Sequence, residues 1–117
     1  MVRKIAFFAF RDDPLTFRHV LMNAVRMYDE GGFETKVVIE GTATSLLKGF
    51  VDSKDPDFKL YQMAKNLGLI DCVCRACSAN FGGLKAAKEA GLRVCDEMLG
   101  HPSVARYLQQ GFEIVVV

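Results

Sequence analysis

Short apolar runs alternate with amphipathic stretches along the whole chain, and this alternation limits the folds open to it. Five of the runs are short and bounded by charge, glycine or proline, as is typical of buried strands; they are Lys4–Phe10, Glu34–Glu40, Leu69–Cys74, Leu92–Cys95 and Phe112–Val117. Strands that alternate with helices form a parallel sheet covered on both faces. The sequence therefore predicts a three-layer α/β/α sandwich of flavodoxin-like type, with a five-stranded, mainly parallel sheet.

The stretches between the runs carry helix signals. Asp13 and Asp55 each precede a proline, which is the arrangement of an N-cap followed by the first helical residue. In the first helix one stripe faces inward, formed by Phe17, Val20, Leu21, Ala24, Val25 and Tyr28. Further helices are expected after Asp55, over Ser78–Ala90 and over His101–Gln110. Residues 41–53 are less regular and indicate a short helix interrupted by Gly49.

Length and composition narrow the class of protein. The chain has 117 residues, which fits a single domain over 1–117, and its net charge of +1 gives no attraction to nucleic acid. No apolar run approaches the ~20 residues that span a bilayer, and the first strand is too short for a secretory leader. We therefore expect a cytoplasmic protein without a membrane or nucleic-acid partner. Its near-neutral charge suits a homo-oligomer.

Three of the four cysteines fall within residues 72–77. Cys72 lies inside the third strand, where a cysteine usually packs in the core. Cys74 ends that strand and Cys77 stands at the entry to the next helix, where free N–H groups and the helix dipole favour a thiolate. Arg75 adds positive charge beside them. Because carboxyl ends of parallel strands form the functional edge of such sheets, His101 is expected there as a proton carrier.

Other interpretations of the cysteines stay open. Cys95 ends the fourth strand and is either a small apolar residue or a neighbour of Cys74 and Cys77. A metal site would need a set such as Cys74, Cys77, Cys95 and His101, and we expect no resident metal. In a reducing compartment structural disulfides are disfavoured. Neither GxGxxG nor GxxxxGK[ST] is present, so no nucleotide or flavin cofactor is expected.

The chain also resembles a known family. Val73-Cys74 at the end of an apolar strand, the small residues after it, Gly82 eight positions beyond Cys74, and the tail over 91–117 resemble DsrE/DsrF-like proteins, including TusD-type sulfur-relay proteins. The resemblance implies a DsrE-like fold, assembly as trimers or hexamers, and a persulfide on Cys74 that is received from a protein sulfur donor and passed to a protein acceptor. Cys72 and Cys77 depart from a simple carrier and indicate dithiol chemistry.

The predicted site thus comprises Cys74 as sulfur acceptor, Cys77 as second thiol, Arg75 as anion stabiliser and His101 as proton carrier. The helix dipole alone favours Cys77 as the reactive thiol, whereas the resemblance favours Cys74. Two alternatives to sulfur relay remain. The first is a thiol-redox or metal-binding module that uses the CxxC pair, and the second is a non-catalytic oligomeric subunit whose cysteines only pack.

Overall fold

The computed structural model describes residues 2–50 and 54–117. Its five strands form one sheet in the order β4-β3-β2-β1-β5, and every neighbouring pair is parallel. The strands are β1 Arg3–Ala9, β2 Phe33–Ile39, β3 Ile70–Cys74, β4 Val94–Cys95 and β5 Glu113–Val116. The predicted α/β fold with a parallel five-stranded sheet is confirmed.

Helices connect the strands. They are α1 Pro14–Glu30, a 3-10 helix Gly41–Gly49, α2 Pro56–Asn66, α3 Arg75–Phe81, α4 Leu84–Glu89 and α5 Val104–Gln109. The two predicted aspartate caps are confirmed, because Asp13 accepts from the Leu15 N–H at 3.0 Å and Asp55 accepts from the Asp57 N–H at 2.9 Å. Among the described residues, no helix is long and apolar enough to cross a membrane.

The predicted helix over Ser78–Ala90 is wrong in two respects. It begins earlier, at Arg75, and it is divided between α3 and α4. Gly82 adopts the left-handed conformation at φ 85°, and a Cβ on Gly83 would lie 2.0 Å from the carbonyl oxygen of Thr44. The turn requires glycine at position 82, and the close approach to Thr44 requires glycine at position 83. Helical periodicity alone predicted one continuous helix here.

Other helix predictions need smaller corrections. Tyr28 is 51% exposed instead of inward-facing, because the inward stripe of α1 continues from Ala24 to Met27, which packs against the core. The last helix begins at Val104 instead of His101, since His101 pairs with Met98 in a tight turn. The 3-10 helix occupies most of the irregular segment, whose residues 51–53 lie outside the described residues.

The two faces of the sheet are packed differently. The larger cluster joins alternate residues of β1 and β2, such as Phe7 and Val37, to α1 and α2. The opposite face holds a smaller cluster that includes Phe8, Cys72 and Tyr107. Phe8 packs edge-on against the Tyr107 ring with centroids 5.2 Å apart. Because successive strand residues alternate between faces, Cys74 follows Cys72 onto this smaller side, where the candidate site forms.

Candidate functional site at the carboxyl edge of the sheet

Cys74 occupies the junction between β3 and α3. Its backbone is still extended, at φ −62° and ψ 124°, and it is the N-cap of the helix. The Cys77 N–H donates to Cys74 Sγ at 3.4 Å. A sulfur atom thus takes the place of the side-chain oxygen that usually caps a helix. The cap explains why α3 begins at Arg75, and it brings Cys77 to the same side of the junction.

A turn over residues 96–101 places a histidine against both thiols. The backbones of Met98 and His101 exchange two hydrogen bonds, at 2.8 and 2.9 Å, and the Gly100 carbonyl accepts from the Ala76 N–H at 2.9 Å. His101 Nδ1 therefore lies 3.0 Å from Cys74 Sγ and 3.6 Å from Cys77 Sγ. The predicted grouping of Cys74, Cys77 and His101 at this edge is what the fold produces.

Burial controls the protonation of Cys74. Its side chain is fully buried, whereas Cys77 is 9% exposed. Burial raises the pKa of Cys74 to about 12, and the neighbouring Cys77 thiol and the Glu40 carboxylate act in the same direction, against the lowering effect of the Cys77 N–H. At neutral pH the isolated site therefore holds Cys74 as a thiol whose proton is within reach of the His101 ring.

Glu40 is a site residue that the sequence analysis did not select. Ile39, the last residue of β2, pairs with Val73 in the parallel register, so Glu40 lies beside the position of Cys74 on β3. Only 7% of Glu40 is exposed; burial raises the pKa of its carboxyl to about 7, and the negative charge of Glu97 adds to that. The sequence feature that could have identified Glu40 is an ionisable residue at the end of an apolar strand, because parallel sheets form their sites at that edge.

Two charged groups frame the turn without contacting the sulfur atoms. The guanidinium of Arg75 pairs with Asp96 at 3.8 Å on the surface. Burial tends to raise the pKa of Glu97, but the Ser103 N–H and the Arg106 guanidinium donate to its carboxylate and hold that pKa at about 2. Glu97 therefore ties the turn to the start of α5. Arg75 adds positive charge at the rim, and its role as anion stabiliser stays a prediction.

Cys72 and Cys95 form a disulfide between β3 and β4, with Cα atoms 5.9 Å apart. Cys72 is buried as expected, but the prediction that it only packs is wrong. Cys95 pairs with Cys74 in the register, yet its sulfur is bonded to Cys72 and is not free to join Cys74 and Cys77. Adjacent parallel strands bring these two side chains within bonding range, which spacing along the sequence did not reveal. The four-ligand set that included Cys95 is therefore not formed.

Comparisons with known proteins give relatives but no activity. No protein-family model matches the chain. An uncharacterised protein of Archaeoglobus fulgidus is 43% identical over 35 residues, which is 30% of this chain and 95% of that protein. An uncharacterised protein of Methanocaldococcus jannaschii is 27% identical over 97 residues, covering 83% of this chain and 76% of the relative.

One solved structure is also similar. A conserved protein of unknown function from Bacteroides thetaiotaomicron superposes with a TM-score of 0.75 over 97% of this chain and 94% of its own, at 19% sequence identity. At that identity the likeness extends to the fold alone. The α/β architecture is thus shared with a solved structure, and a shared fold gives no information on the chemistry of the site in this chain.

Proposed function

We propose that the chain is a sulfur-relay protein that carries sulfane sulfur as a persulfide on Cys74. It belongs to the same family as the short Archaeoglobus fulgidus protein. The names of its relatives state no activity, so support comes from the site and from the resemblance of the Cys74 region to DsrE-like proteins. The observation that carries the proposal is the contact of 3.0 Å between Cys74 Sγ and His101 Nδ1, with a second thiol beside it.

The loading step follows from these contacts. His101 Nδ1 accepts the Cys74 proton, and the resulting thiolate attacks the outer sulfur of a donor persulfide. One S–S bond forms on Cys74 as the S–S bond of the donor breaks. The donor cysteine leaves as a thiolate and takes the proton from His101. No electrons are gained or lost, so the step needs no redox partner.

The delivery step reverses the first. A thiolate of the acceptor protein attacks the outer sulfur, and Cys74 leaves as a thiolate that takes back a proton. The Cys77 N–H stabilises that leaving group, because it already donates to Cys74 Sγ at 3.4 Å. Cys77 Sγ lies 3.6 Å from Nδ1 of the same histidine, and Cys77 serves as the relay or resolving thiol.

A protein-bound persulfide reaches Cys74 only if the 96–101 turn is displaced, whereas a small polysulfide needs no docked partner and enters when the turn opens transiently. Cys74 is fully buried, and its Sγ contacts the Gly100 carbonyl oxygen at 3.6 Å. At the tip of the turn, Leu99 is 96% exposed and has a φ of 49°, a left-handed conformation that costs a leucine free energy. We place the docking point of the protein sulfur donor and acceptor at Leu99, where binding displaces the turn and opens the site.

The proposal includes a cytoplasmic location and assembly into a homo-oligomer. Exposed apolar residues on the side of the smaller cluster support the assembly. Val116 is 65% exposed and lies opposite Phe8 in the register, Phe10 is 36% exposed, and Leu108 on α5 is 57% exposed. Exposed apolar groups of this kind are favoured at contacts between subunits.

Intact-mass spectrometry tests the proposal. The protein with Cys74 and Cys77 reduced is incubated with inorganic polysulfide and should gain about 32 Da, the mass of one sulfur atom, in a thiol-reversible way. Cys74→Ser should abolish this gain. Cys77→Ser is the matched control, and it should retain the gain. An unchanged gain in Cys74→Ser would contradict the assignment of the acceptor.

A further inference from the structure

The three side chains at the edge of the sheet also have the composition and spacing of a metal site. Cys74 Sγ, Cys77 Sγ and a His101 ring nitrogen all lie within 4.8 Å of one another. Thiolate sulfur and imidazole nitrogen are the ligands that Zn²⁺ prefers, and a pair of cysteines three residues apart is a common source of two of them. We propose that Cys74, Cys77 and His101 bind a thiophilic divalent cation of the Zn²⁺ class.

The distances agree with one shared ion. With Zn–S near 2.3 Å and Zn–N near 2.0 Å, two tetrahedral ligands are about 3.6 Å apart for S and N and about 3.8 Å apart for two sulfurs. The separation between Cys77 Sγ and His101 Nδ1 is 3.6 Å, and that between Cys74 Sγ and the same nitrogen is 3.0 Å. The two sulfur–nitrogen separations therefore match a shared ion if Cys74 Sγ and His101 Nδ1 move apart by about half an ångström. The two sulfurs lie within 4.8 Å of each other.

Backbone contacts hold the ligands in place. The 96–101 turn is fixed by the two hydrogen bonds between Met98 and His101 and by the bond from Ala76 to Gly100, and the Cys77 N–H donates to Cys74 Sγ. Metal sites depend on such outer contacts to orient their ligands. The Cys72–Cys95 disulfide contributes as well, because it ties β3, which carries Cys74, to β4, which leads into the turn.

The charge of the ligands would balance that of a divalent cation. Metal binding would replace the protons of the two buried thiols, Cys74 and Cys77, with one cation of charge +2. Buried charge without a partner is unfavourable, and a divalent cation balances two thiolates. Three protein ligands leave one coordination position for water or an incoming ligand, as in exchangeable zinc sites.

The inference uses the same side chains as the proposed function but does not depend on it. A bound cation and a persulfide compete for Cys74, because metal binding requires the thiolate that the sulfur would occupy. Metal binding would therefore prevent sulfur loading, and sulfur loading would lower metal affinity. The metal site and the sulfur relay can therefore each be refuted without the other.

Titration with Co²⁺ as the probe tests the inference. Metal-free protein with Cys74 and Cys77 reduced should bind one Co²⁺ and show visible bands of a tetrahedral site together with ultraviolet bands of thiolate–cobalt charge transfer. Cys77→Ser and His101→Ala should each weaken Co²⁺ binding by more than about 10-fold. Removal of an outer-sphere partner alone lowers metal affinity by about that factor, and loss of a ligand should cost more. His19→Ala, which removes the other histidine, is the matched control and should bind normally.

The outcomes separate the two proposals. Thiolate–cobalt bands without sulfur uptake would support the metal site and contradict the relay function. Sulfur uptake without these bands would support the relay function and contradict the metal site. The inference would be overturned if the wild type binds Co²⁺ no better than Cys77→Ser, or if His19→Ala weakens binding as much as His101→Ala. Circular dichroism of each variant confirms that it is folded, so a loss of binding is assigned to the ligand.

Discussion

Replacement of Glu40 by glutamine should stabilise the protein in a pH-dependent way. Glu40, the residue after β2, is only 7% exposed, and burial raises the pKa of its carboxyl from 4.5 to about 7. The folded state therefore holds the proton more tightly than the unfolded chain does. Stability from this group is fully present below pH 4.5 and is lost as the pH rises towards 7.

The size of the effect follows from the shift. A difference of one pKa unit corresponds to about 1.36 kcal/mol, so a rise from 4.5 to about 7 costs the folded protein about 3 kcal/mol above pH 7. Glutamine is uncharged at every pH and removes this cost. Glu40→Gln should therefore raise the free energy of unfolding by about 3 kcal/mol at pH 8 and change it little at pH 4.5.

Denaturation by urea, followed by circular dichroism at pH 4.5, 6 and 8, measures the effect. The matched control is Glu34→Gln on β2, whose side chain is 51% exposed and therefore lacks the burial from which the effect at Glu40 arises. An equal change in the free energy of unfolding at pH 4.5 and pH 8 would refute the assignment of Glu40 as a carboxyl kept protonated by burial. A loss of stability at pH 8 would refute it as well.

Two further predictions address docking and assembly. Leu99→Asp should slow sulfur transfer from a protein persulfide donor while leaving loading by inorganic polysulfide unchanged; equal slowing of both would remove Leu99 from docking. Val116→Asp should lower the molar mass found by light scattering, whereas a monomeric wild type would contradict a homo-oligomer.

The fold was predictable because its signals are local. Apolar runs, the Asp13 and Asp55 caps and the terminal glycines specify strands and helices within short windows, and parallel connectivity follows from their order. The break between α3 and α4 was missed because Gly83 is required by contact with Thr44, a residue far away in the sequence. Helical periodicity contains no information on such a contact.

The site was predictable in part for the same reason. The rule that parallel sheets form sites at their carboxyl edge brought Cys74, Cys77 and His101 together correctly. The Cys72–Cys95 disulfide and the place of Glu40 depend on which strands are neighbours and in what register, and the sequence alone specifies neither. The structure places the start of α3 at Arg75, with Cys74 as its cap, and the choice of Cys74 over Cys77 as the reactive thiol stays a prediction.

The central claim is that Cys74 accepts the sulfur, and peptide mapping tests it most directly. Wild-type protein with Cys74 and Cys77 reduced is loaded with polysulfide, its thiols and persulfides are blocked by alkylation, and the chain is cleaved at Arg75, between the two cysteines. Because Cys72 lies on the same peptide as Cys74, fragment-ion spectra assign the added mass to one of these two residues. The account predicts an added mass of about 32 Da on the Cys74 peptide, with His101→Ala slowing its appearance. Added sulfur found only on the Cys77 peptide, or on neither, would contradict it.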